Sequence, residues 1–160
     1  MIQSLFPDKA LSIEGGAMRT VIFIGALMAL QHEGLDLNRI KYLHGVSAGA
    51  IIGVAIALGI SPKKLMEECF DLDFGGLLLN DINESCLTKM LSGDEQFTGC
   101  AEGNSIIQKL ANIFSKLCPT WHDDMTFKDL EDLTGKQITV TATNLTLKKT
   151  VDFSTKINHM

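Results

Sequence analysis

The chain has 160 residues, enough to bury the core of one domain, and it is 46% hydrophobic and 21% charged, as ordinary globular proteins are. The net charge of −5 excludes a global basic field of the kind that recruits nucleic acid or anionic lipid. The longest apolar run, 50–60, is too short to cross a bilayer, for which a helix needs about 20 residues.

The first part of the chain alternates predicted strands and helices. Residues 10–14 form a short strand that runs into glycines, and the apolar stretch 21–33 forms a helix that Gly34 ends. Residues 40–46 form a second strand. Residues 48–58 are apolar on all sides, which predicts a buried helix.

The middle of the chain is predicted to be helical around a looser insertion. Gly59 ends the second helix, and Ser61 and Pro62 start a third as its cap and first turn. Residues 75–104 are rich in Gly, Asn and Ser and form the insertion, with a short helix near 86–91. Apolar residues then recur at helical spacing, which predicts a helix packed on the sheet; a lipid-contacting face is the alternative. They are Ile106, Ile107, Leu110, Ile113, Phe114 and Leu117.

The last part of the chain is predicted to return to the sheet. Thr126 caps a helix that Gly135 ends, residues 138–143 alternate with the period of a strand, and 150–153 form its hairpin partner. This order of elements predicts an α/β fold, a three-layer α/β/α sandwich around a mainly parallel sheet.

The cysteines indicate neither a metal site nor a disulfide framework. They are widely spaced, with no CxxC, at Cys69, Cys86, Cys100 and Cys118. Because the N-terminus also lacks a charged-then-apolar leader, we expect a reducing, cytoplasmic setting, with contact to membranes at most peripheral. No metal and no organic cofactor are expected.

The segment Gly45–Gly49 matches the pattern GxSxG. Such a serine must lie on a sharp strand-to-helix turn, and small residues on either side let strand and helix approach closely. A predicted strand precedes Ser47 and an apolar helix follows it. The pattern therefore predicts a nucleophilic Ser47, supported by Gly45 and Gly49.

A second glycine-containing loop, Glu14–Arg19, follows the first predicted strand. Glycine N–H groups can face a substrate oxygen without obstruction by side chains, as an oxyanion hole requires. Neither GxGxxG nor GxxxxGK[ST] is present, so a dinucleotide or phosphate loop is not indicated.

These segments together resemble the patatin-like phospholipases, and the short forms from bacteria and large DNA viruses most of all. The likeness lies in Leu11–Arg19, Gly25–Leu27, Gly45–Ala50, Thr126–Leu130, Leu133–Lys136 and Thr141–Leu145. The resemblance implies a Ser–Asp dyad, with Ser47 as nucleophile and Gly15, Gly16 and Ala17 in the oxyanion loop. It also implies that Arg19 orders this loop and that the N–H of Ala48 is a further donor.

Three positions depart from the family pattern. Ala17 stands where the family has a third glycine, and alanine costs about 1 kcal/mol if that residue needs a positive φ. Thr20 stands where a glycine follows the basic residue, and Glu14 where aspartate or a small residue is usual. These changes bear on turnover more than on fold.

The general base is the largest departure. The family's catalytic Asp lies in a D-G-[AG] motif, and no Asp-Gly pair occurs in this sequence. Asp152, His44 and His159 are the nearest substitutes, and structural or surface roles are expected for them. We therefore expect residues 1–160 to be the N-terminal part of the domain, without the part that carries the catalytic Asp.

The sequence thus predicts a lipid acyl hydrolase of the phospholipase A or lysophospholipase type, acting on phospholipid or another acyl-ester lipid. The alternative is a catalytically inactive module that binds lipid or protein. A third arrangement is an assembly in which another chain supplies the Asp, and unpaired sheet edges would favour a homo-oligomer.

Overall fold

The computed structural model describes residues 10–70 and 103–155, together with positions 88, 91 and 92. Within these residues the strands form one sheet, in the order β1-β2-β3-β4. The strands are β1 (Ala10–Ile13), β2 (Tyr42–Val46), β3 (Gln137–Asn144) and β4 (Lys149–Ser154). The first three strands are parallel, and β4 pairs antiparallel with β3 as a hairpin.

The described residues also form α-helices. They are α1 (Thr20–His32), α2 (Ala48–Ala57), α3 (Pro62–Phe70), α4 (Asn104–Leu117) and α5 (Phe127–Thr134). Short 3-10 turns lie at Ala17–Arg19 and Leu37–Arg39. The predicted short helix near 86–91 falls largely outside the described residues, although positions 88, 91 and 92 are helical.

The helix ends follow the predicted signals. Gly34 and Gly59 have φ angles of +100° and +76°. The next residues close the turns, with the Leu35 N–H donating to the Leu30 carbonyl and the Ile60 N–H to the Ala55 carbonyl, both at 2.9 Å. The Gly34 N–H also donates to the Gln31 carbonyl and the Gly59 N–H to the Ile56 carbonyl, so each turn has the two hydrogen bonds of a Schellman motif. Glycine adopts the left-handed conformation of this motif without a Cβ clash.

The start of α5 also forms as predicted. The Asp129 N–H donates to Thr126 Oγ1 at 3.2 Å, and the Thr126 N–H donates to Asp129 Oδ2 at 2.9 Å. This reciprocal pair is a capping box, which satisfies two backbone donors at once. It holds the pKa of Asp129 below its usual value, because the Thr126 hydroxyl and N–H bind the carboxylate form.

The core lies on the face of the sheet that α2 covers. Ile13, Leu43 and Ile138 point to this face and are buried, and Ile52 of α2 and Ile24 of α1 pack above them. The helix α2 is apolar throughout, as predicted, and six of its residues are buried. The structure therefore confirms an α/β sandwich with a mainly parallel sheet.

Each strand differs from its prediction at one boundary or more, and β3 and β4 extend one residue further at both ends. β1 ends at Ile13, one residue early, and β2 begins at Tyr42 rather than at residue 40. Ile40 instead follows the turn Leu37–Arg39, where its N–H donates to the Leu37 carbonyl at 3.3 Å, and its side chain joins the core. An apolar residue can be buried outside a strand, so the apolar pattern placed this boundary too early.

Candidate active site

Ser47 lies on the turn between the end of β2 and the start of α2. Its backbone angles are φ 54° and ψ −128°, and the residue is exposed. A residue other than glycine rarely adopts a positive φ, and such strain is found where surrounding structure enforces it, often at functional sites. The turn thus has the geometry that presents a nucleophilic serine above a sheet edge.

The glycines that flank Ser47 are required by close packing. A Cβ on Gly45 would lie 2.4 Å from Ala50 Cα, and a Cβ on Gly49 would lie 2.2 Å from the Ile13 carbonyl oxygen. Both distances are far below van der Waals contact, and both neighbours are backbone atoms. Any side chain at these two positions would therefore force the strand and the helix apart.

The loop after β1 lies beside the Ser47 side chain. A Cβ on Gly15 would lie 3.0 Å from Ser47 Cβ and 3.7 Å from Ser47 Oγ. The parallel pairing of β1 with β2 places Ile13 opposite Gly45, so both turns leave the sheet at the same edge. The structure therefore brings together the two segments that the sequence analysis assigned to one site.

The loop is held by short-range hydrogen bonds. The Arg19 N–H donates to the Gly16 carbonyl at 2.8 Å, and the Thr20 hydroxyl donates to the carbonyl of Ala17. Ala17 has a φ of 45°, so this position adopts the left-handed conformation. The side chain of Arg19 is exposed, and its backbone supplies the bond that closes the turn.

Ala48 is the first residue of α2, directly after Ser47. The first N–H groups of a helix have no partner within it, and the helix dipole places partial positive charge at this end. The backbone beside Ser47 can therefore stabilise negative charge that develops on an oxygen atom there.

A small apolar cavity opens beside the two turns. It has a volume of about 60 Å³, and its wall includes Ala17 and Ala48. The remaining wall comes from helices α1 to α4 and consists of Thr20, Val21, Ile24, Ile51, Ile52, Leu65, Cys69, Leu110, Ile113 and Phe114. A chain of hydrocarbon fits the chemistry of this lining.

Cys69 lies in the cavity wall but is not set up as a nucleophile. Burial, together with the neighbouring Glu68 carboxylate, raises the pKa of its thiol. A thiol reacts through its thiolate form, which this environment disfavours. Cys69 therefore contributes an apolar surface.

The nearest imidazole to the elbow in sequence, His44, is engaged on the other face of the sheet. Its Nδ1 lies 2.8 Å from Ser12 Oγ and its Nε2 lies 2.8 Å from Thr141 Oγ1. Thr141 in turn donates its hydroxyl hydrogen to Asp152. Thr141 Oγ1 must then accept from Nε2–H, so Nδ1 accepts from the Ser12 hydroxyl. We call these four residues the polar row.

The polar row accounts for two of the substitutes considered for the general base. Asp152 lies on β4, two strands from β2, and its carboxylate accepts from Thr141. His159 lies outside the described residues. Within the described part of the chain, no group of His, Cys, Asp and Glu side chains could hold a metal ion. The same part holds no helix that is long and apolar enough to cross a membrane.

Sequence reasoning missed the cavity and the polar row. The cavity had a partial signal, since Leu110, Ile113 and Phe114 belong to the predicted apolar stripe, yet the stripe could not show a gap among four helices. The polar row had no sequence signal, because its members lie far apart in the chain, up to 140 positions for Ser12 and Asp152. They come together only when the strands pair.

Comparison with known proteins identifies the family of the chain. Residues 11–156 match the sequence profile of the family described as Patatin-like phospholipase. The chain belongs to this family. The match spans both turns of the site, the polar row and the β3–β4 hairpin.

Relatives of this patatin-like chain occur in large DNA viruses. It is 33% identical over 138 residues to "Probable lipid hydrolase 463L" of Invertebrate iridescent virus 6, covering 86% of this chain and 44% of that protein. It is 29% identical over 146 residues to "Uncharacterized protein R571" of Acanthamoeba polyphaga mimivirus, covering 91% of this chain and 45% of the relative. The chain thus spans less than half the length of these relatives.

Solved structures share the patatin-like fold. ExoU of Pseudomonas aeruginosa, in complex with SpcU, aligns with a TM-score of 0.61 at 22% identity, over 94% of this chain and 35% of ExoU. VipD of Legionella pneumophila aligns with a TM-score of 0.56 at 17% identity, over 93% of this chain and 39% of VipD.

The departures from the patatin-like pattern have visible consequences in the structure. Ala17 occupies a left-handed position, for which the glycine of the family pattern is the better residue. Thr20 adds a hydroxyl that binds the loop carbonyl of Ala17, an interaction that a glycine cannot make. The loop therefore combines backbone strain at one residue with a new hydrogen bond three residues later.

Proposed function

We propose that this chain carries the nucleophile and oxyanion hole of a lipid acyl hydrolase of the phospholipase A or lysophospholipase type. The observation that carries the proposal is the exposed, strained Ser47 with the Gly15 backbone directly beside its side chain. Family membership and a viral relative named as a probable lipid hydrolase support the substrate class.

The proposed reaction proceeds through an acyl-enzyme. Ser47 Oγ attacks the ester carbonyl carbon while its proton passes to a base, and the carbonyl oxygen becomes an oxyanion held by N–H groups near Gly16, Ala17 and Ala48. The C–O bond to the alcohol then breaks, and the alcohol leaves with the proton. Water attacks the acyl-enzyme in the same way, releasing a fatty acid and restoring the Ser47 hydroxyl.

The base is proposed to be an Asp outside residues 1–160. His44 and Asp152 are bonded within the polar row, so the described residues offer neither as a free partner for Ser47. The viral relatives are more than twice as long as the matched segment, which leaves room for an Asp elsewhere in a longer chain. We also propose a reducing, cytoplasmic setting with peripheral membrane contact, consistent with free thiols at Cys69 and Cys118.

Labelling with a fluorophosphonate tests the reactivity of Ser47, and fatty-acid release from a phospholipid or a short acyl ester tests turnover. The wild-type chain should label, though more slowly than a longer chain that includes the proposed Asp, because the exposed Ser47 turn and the oxyanion loop are present without the base. Ser47→Ala should not label, and Ser115→Ala, which removes an exposed hydroxyl on α4, should label like the wild type. Equal labelling of wild type and Ser47→Ala would overturn the assignment. Release that depends on Ser47 would show that no further Asp is needed.

A second candidate function is a non-catalytic module that binds lipid or protein. The observation in its favour is that His44 and Asp152 are hydrogen-bonded within the polar row. In addition, Ala17 holds a strained left-handed conformation in the oxyanion loop. Such a module would bind phospholipid vesicles without labelling or turnover. An assembly in which a second chain supplies the Asp would instead show labelling that rises with oligomerisation.

A further inference from the structure

We propose that the apolar cavity beside Ser47 is the acyl-chain site and that its small volume selects short acyl groups of about four to six carbons. This inference rests on the proposed function and deepens it, because it names the class of acyl ester that the site accepts. The cavity volume of about 60 Å³ and the identity of its walls carry the argument.

The cavity lies beside the candidate reacting centre. Ala48 directly follows Ser47, and Ala17 belongs to the loop whose Gly15 lies against Ser47; both residues line the cavity. An ester carbonyl held by their N–H groups has its alkyl tail against the same two residues. The cavity therefore adjoins the place where the acyl carbon would be attacked.

The interior excludes a charged headgroup and suits hydrocarbon. Val21, Ile24, Ile52 and Leu65 form its sides. The hydroxyl of Thr20 is turned to the Ala17 carbonyl. A phosphate or ammonium group would lose its hydration here without gaining a partner. Transfer of a methylene chain from water into the cavity is favourable.

The volume limits the length of the chain that fits. A water-sized group requires about 10–15 Å³ of such space, so about 60 Å³ holds about four to six methylene-sized groups. The wall is braced at Phe114, which is buried and whose ring lies 4.9 Å from the ring of Trp121. Ile113, also buried, is the neighbouring wall residue on the same helix.

The chain contains its own reporter for occupancy. Trp121 is the single tryptophan of the protein and contacts Phe114, a wall residue. Binding can therefore be followed by tryptophan fluorescence in the Ser47→Ala chain, which does not depend on turnover. Methyl esters of linear acids, from butanoate to decanoate, are the probes.

Affinity should rise about fourfold per added carbon up to about six carbons and then level off, because only buried methylenes contribute. Adding Ile113→Ala to the Ser47→Ala chain should extend the rise in affinity by about three carbons, because the substitution removes three carbon atoms from the wall. Ile107→Ala is the matched control: it removes the same side chain from the same helix, but at an exposed position that lines the outer groove beside Trp121. It should leave the length profile unchanged.

Several outcomes would overturn the inference. An unbroken rise to ten carbons, or a profile changed by Ile107→Ala and not by Ile113→Ala, would place the acyl chain in the outer groove. Absence of any fluorescence change with all probes would also overturn it. If Ile113→Ala does not fold, Ile113→Val should extend the rise by about one carbon. Binding with this profile but no Ser47-dependent labelling or turnover would contradict the proposed function and leave the cavity assignment standing.

Discussion

Ala17 and Ser47 both adopt left-handed backbone conformations at the candidate site, with φ angles of 45° and 54°. The strain at Ser47 has a use, since it exposes a hydroxyl above the sheet edge. The methyl group of Ala17 has no comparable use, because the proposed role of this residue belongs to its N–H group. The two residues therefore respond differently to replacement by glycine.

Ala17→Gly should raise the free energy of unfolding by about 1 kcal/mol, because glycine removes the left-handed penalty. Part of the gain is offset by the greater freedom of glycine in the unfolded chain. Urea unfolding of both proteins measures the difference. Ala29→Gly, at an exposed position inside α1, is the control and should lower stability by about 1 kcal/mol. A loss of stability in Ala17→Gly would mean that its side chain packs favourably.

At the scale of elements, the contact between α2 and the carboxyl end of β1 decides the geometry of the site. Gly49 lies so close to this strand end that any Cβ would overlap the carbonyl oxygens of Ile13 and Glu14. A larger residue must push the helix away from the sheet, and Ser47 would move with it.

Gly49→Ala should destabilise the protein by about 1–3 kcal/mol through overpacking and should reduce fluorophosphonate labelling of Ser47. Gly25→Ala is the matched control, because that glycine lies inside α1 and a Cβ added to it would meet no atom within 4 Å. It should stabilise the protein by about 0.5–1 kcal/mol. Thermal unfolding of both variants tests the pair, and equal effects would contradict the packing argument.

A buried lysine is bonded to two other elements, the turn Leu37–Arg39 and helix α2. Lys136, directly before β3, is 6% exposed, and its Nζ donates to the carbonyls of Leu37 at 2.8 Å and Ile56 at 3.4 Å. Burial, and then the nearby Lys41, lower the pKa of the Lys136 ammonium. The folded state therefore binds this proton less tightly than the unfolded state does.

Stability should consequently depend on pH through Lys136. Below its lowered pKa the charged group opposes folding, and this cost disappears as the pH rises towards the ordinary value of 10.5. The wild type should gain stability relative to Lys136→Met over this range. Urea unfolding between neutral pH and pH 10.5 measures the gain. The control is Lys63→Met, which removes an exposed lysine. If the wild type gains as much stability relative to Lys63→Met as relative to Lys136→Met, the pH dependence does not come from Lys136.

At the scale of the whole molecule, the polar row connects all strands of the described sheet. Ser12, His44, Thr141 and Asp152 belong to β1, β2, β3 and β4 in that order. Each hydroxyl or ring N–H donates in the same direction, towards the Asp152 carboxylate. The row thus stabilises the register that brings the Gly15 loop and Ser47 to one edge.

Thr141→Val should lower the free energy of unfolding by about 1 kcal/mol or more, because it removes an acceptor from His44 and a donor from Asp152. Thr139→Val is the control, with the same change on the same strand and face at a residue outside the row. Urea denaturation compares the two. If Thr139→Val lowers the free energy of unfolding as much, the loss comes from replacing a threonine on β3 and not from the hydrogen bonds of the polar row.

Local signals predicted much of the architecture. Gly34, Gly59 and Thr126 marked helix ends correctly, because capping depends on residues within one turn. The alternation around Val140 and the apolar run after Ser47 identified β3 and α2, because burial on one face or on all faces leaves a periodic record. The start of β2 was misplaced where Ile40 is buried without belonging to a strand.

The sequence by itself determined the α/β order, the two turns and the family, because each depends on residues close together in the chain. Only the tertiary structure decided that Gly15 lies against Ser47, that an apolar cavity adjoins them, and that His44 is bonded to Ser12 and Thr141. These features join residues about 30 to 100 positions apart. They depend on strand register and helix packing, which no local pattern of residues encodes.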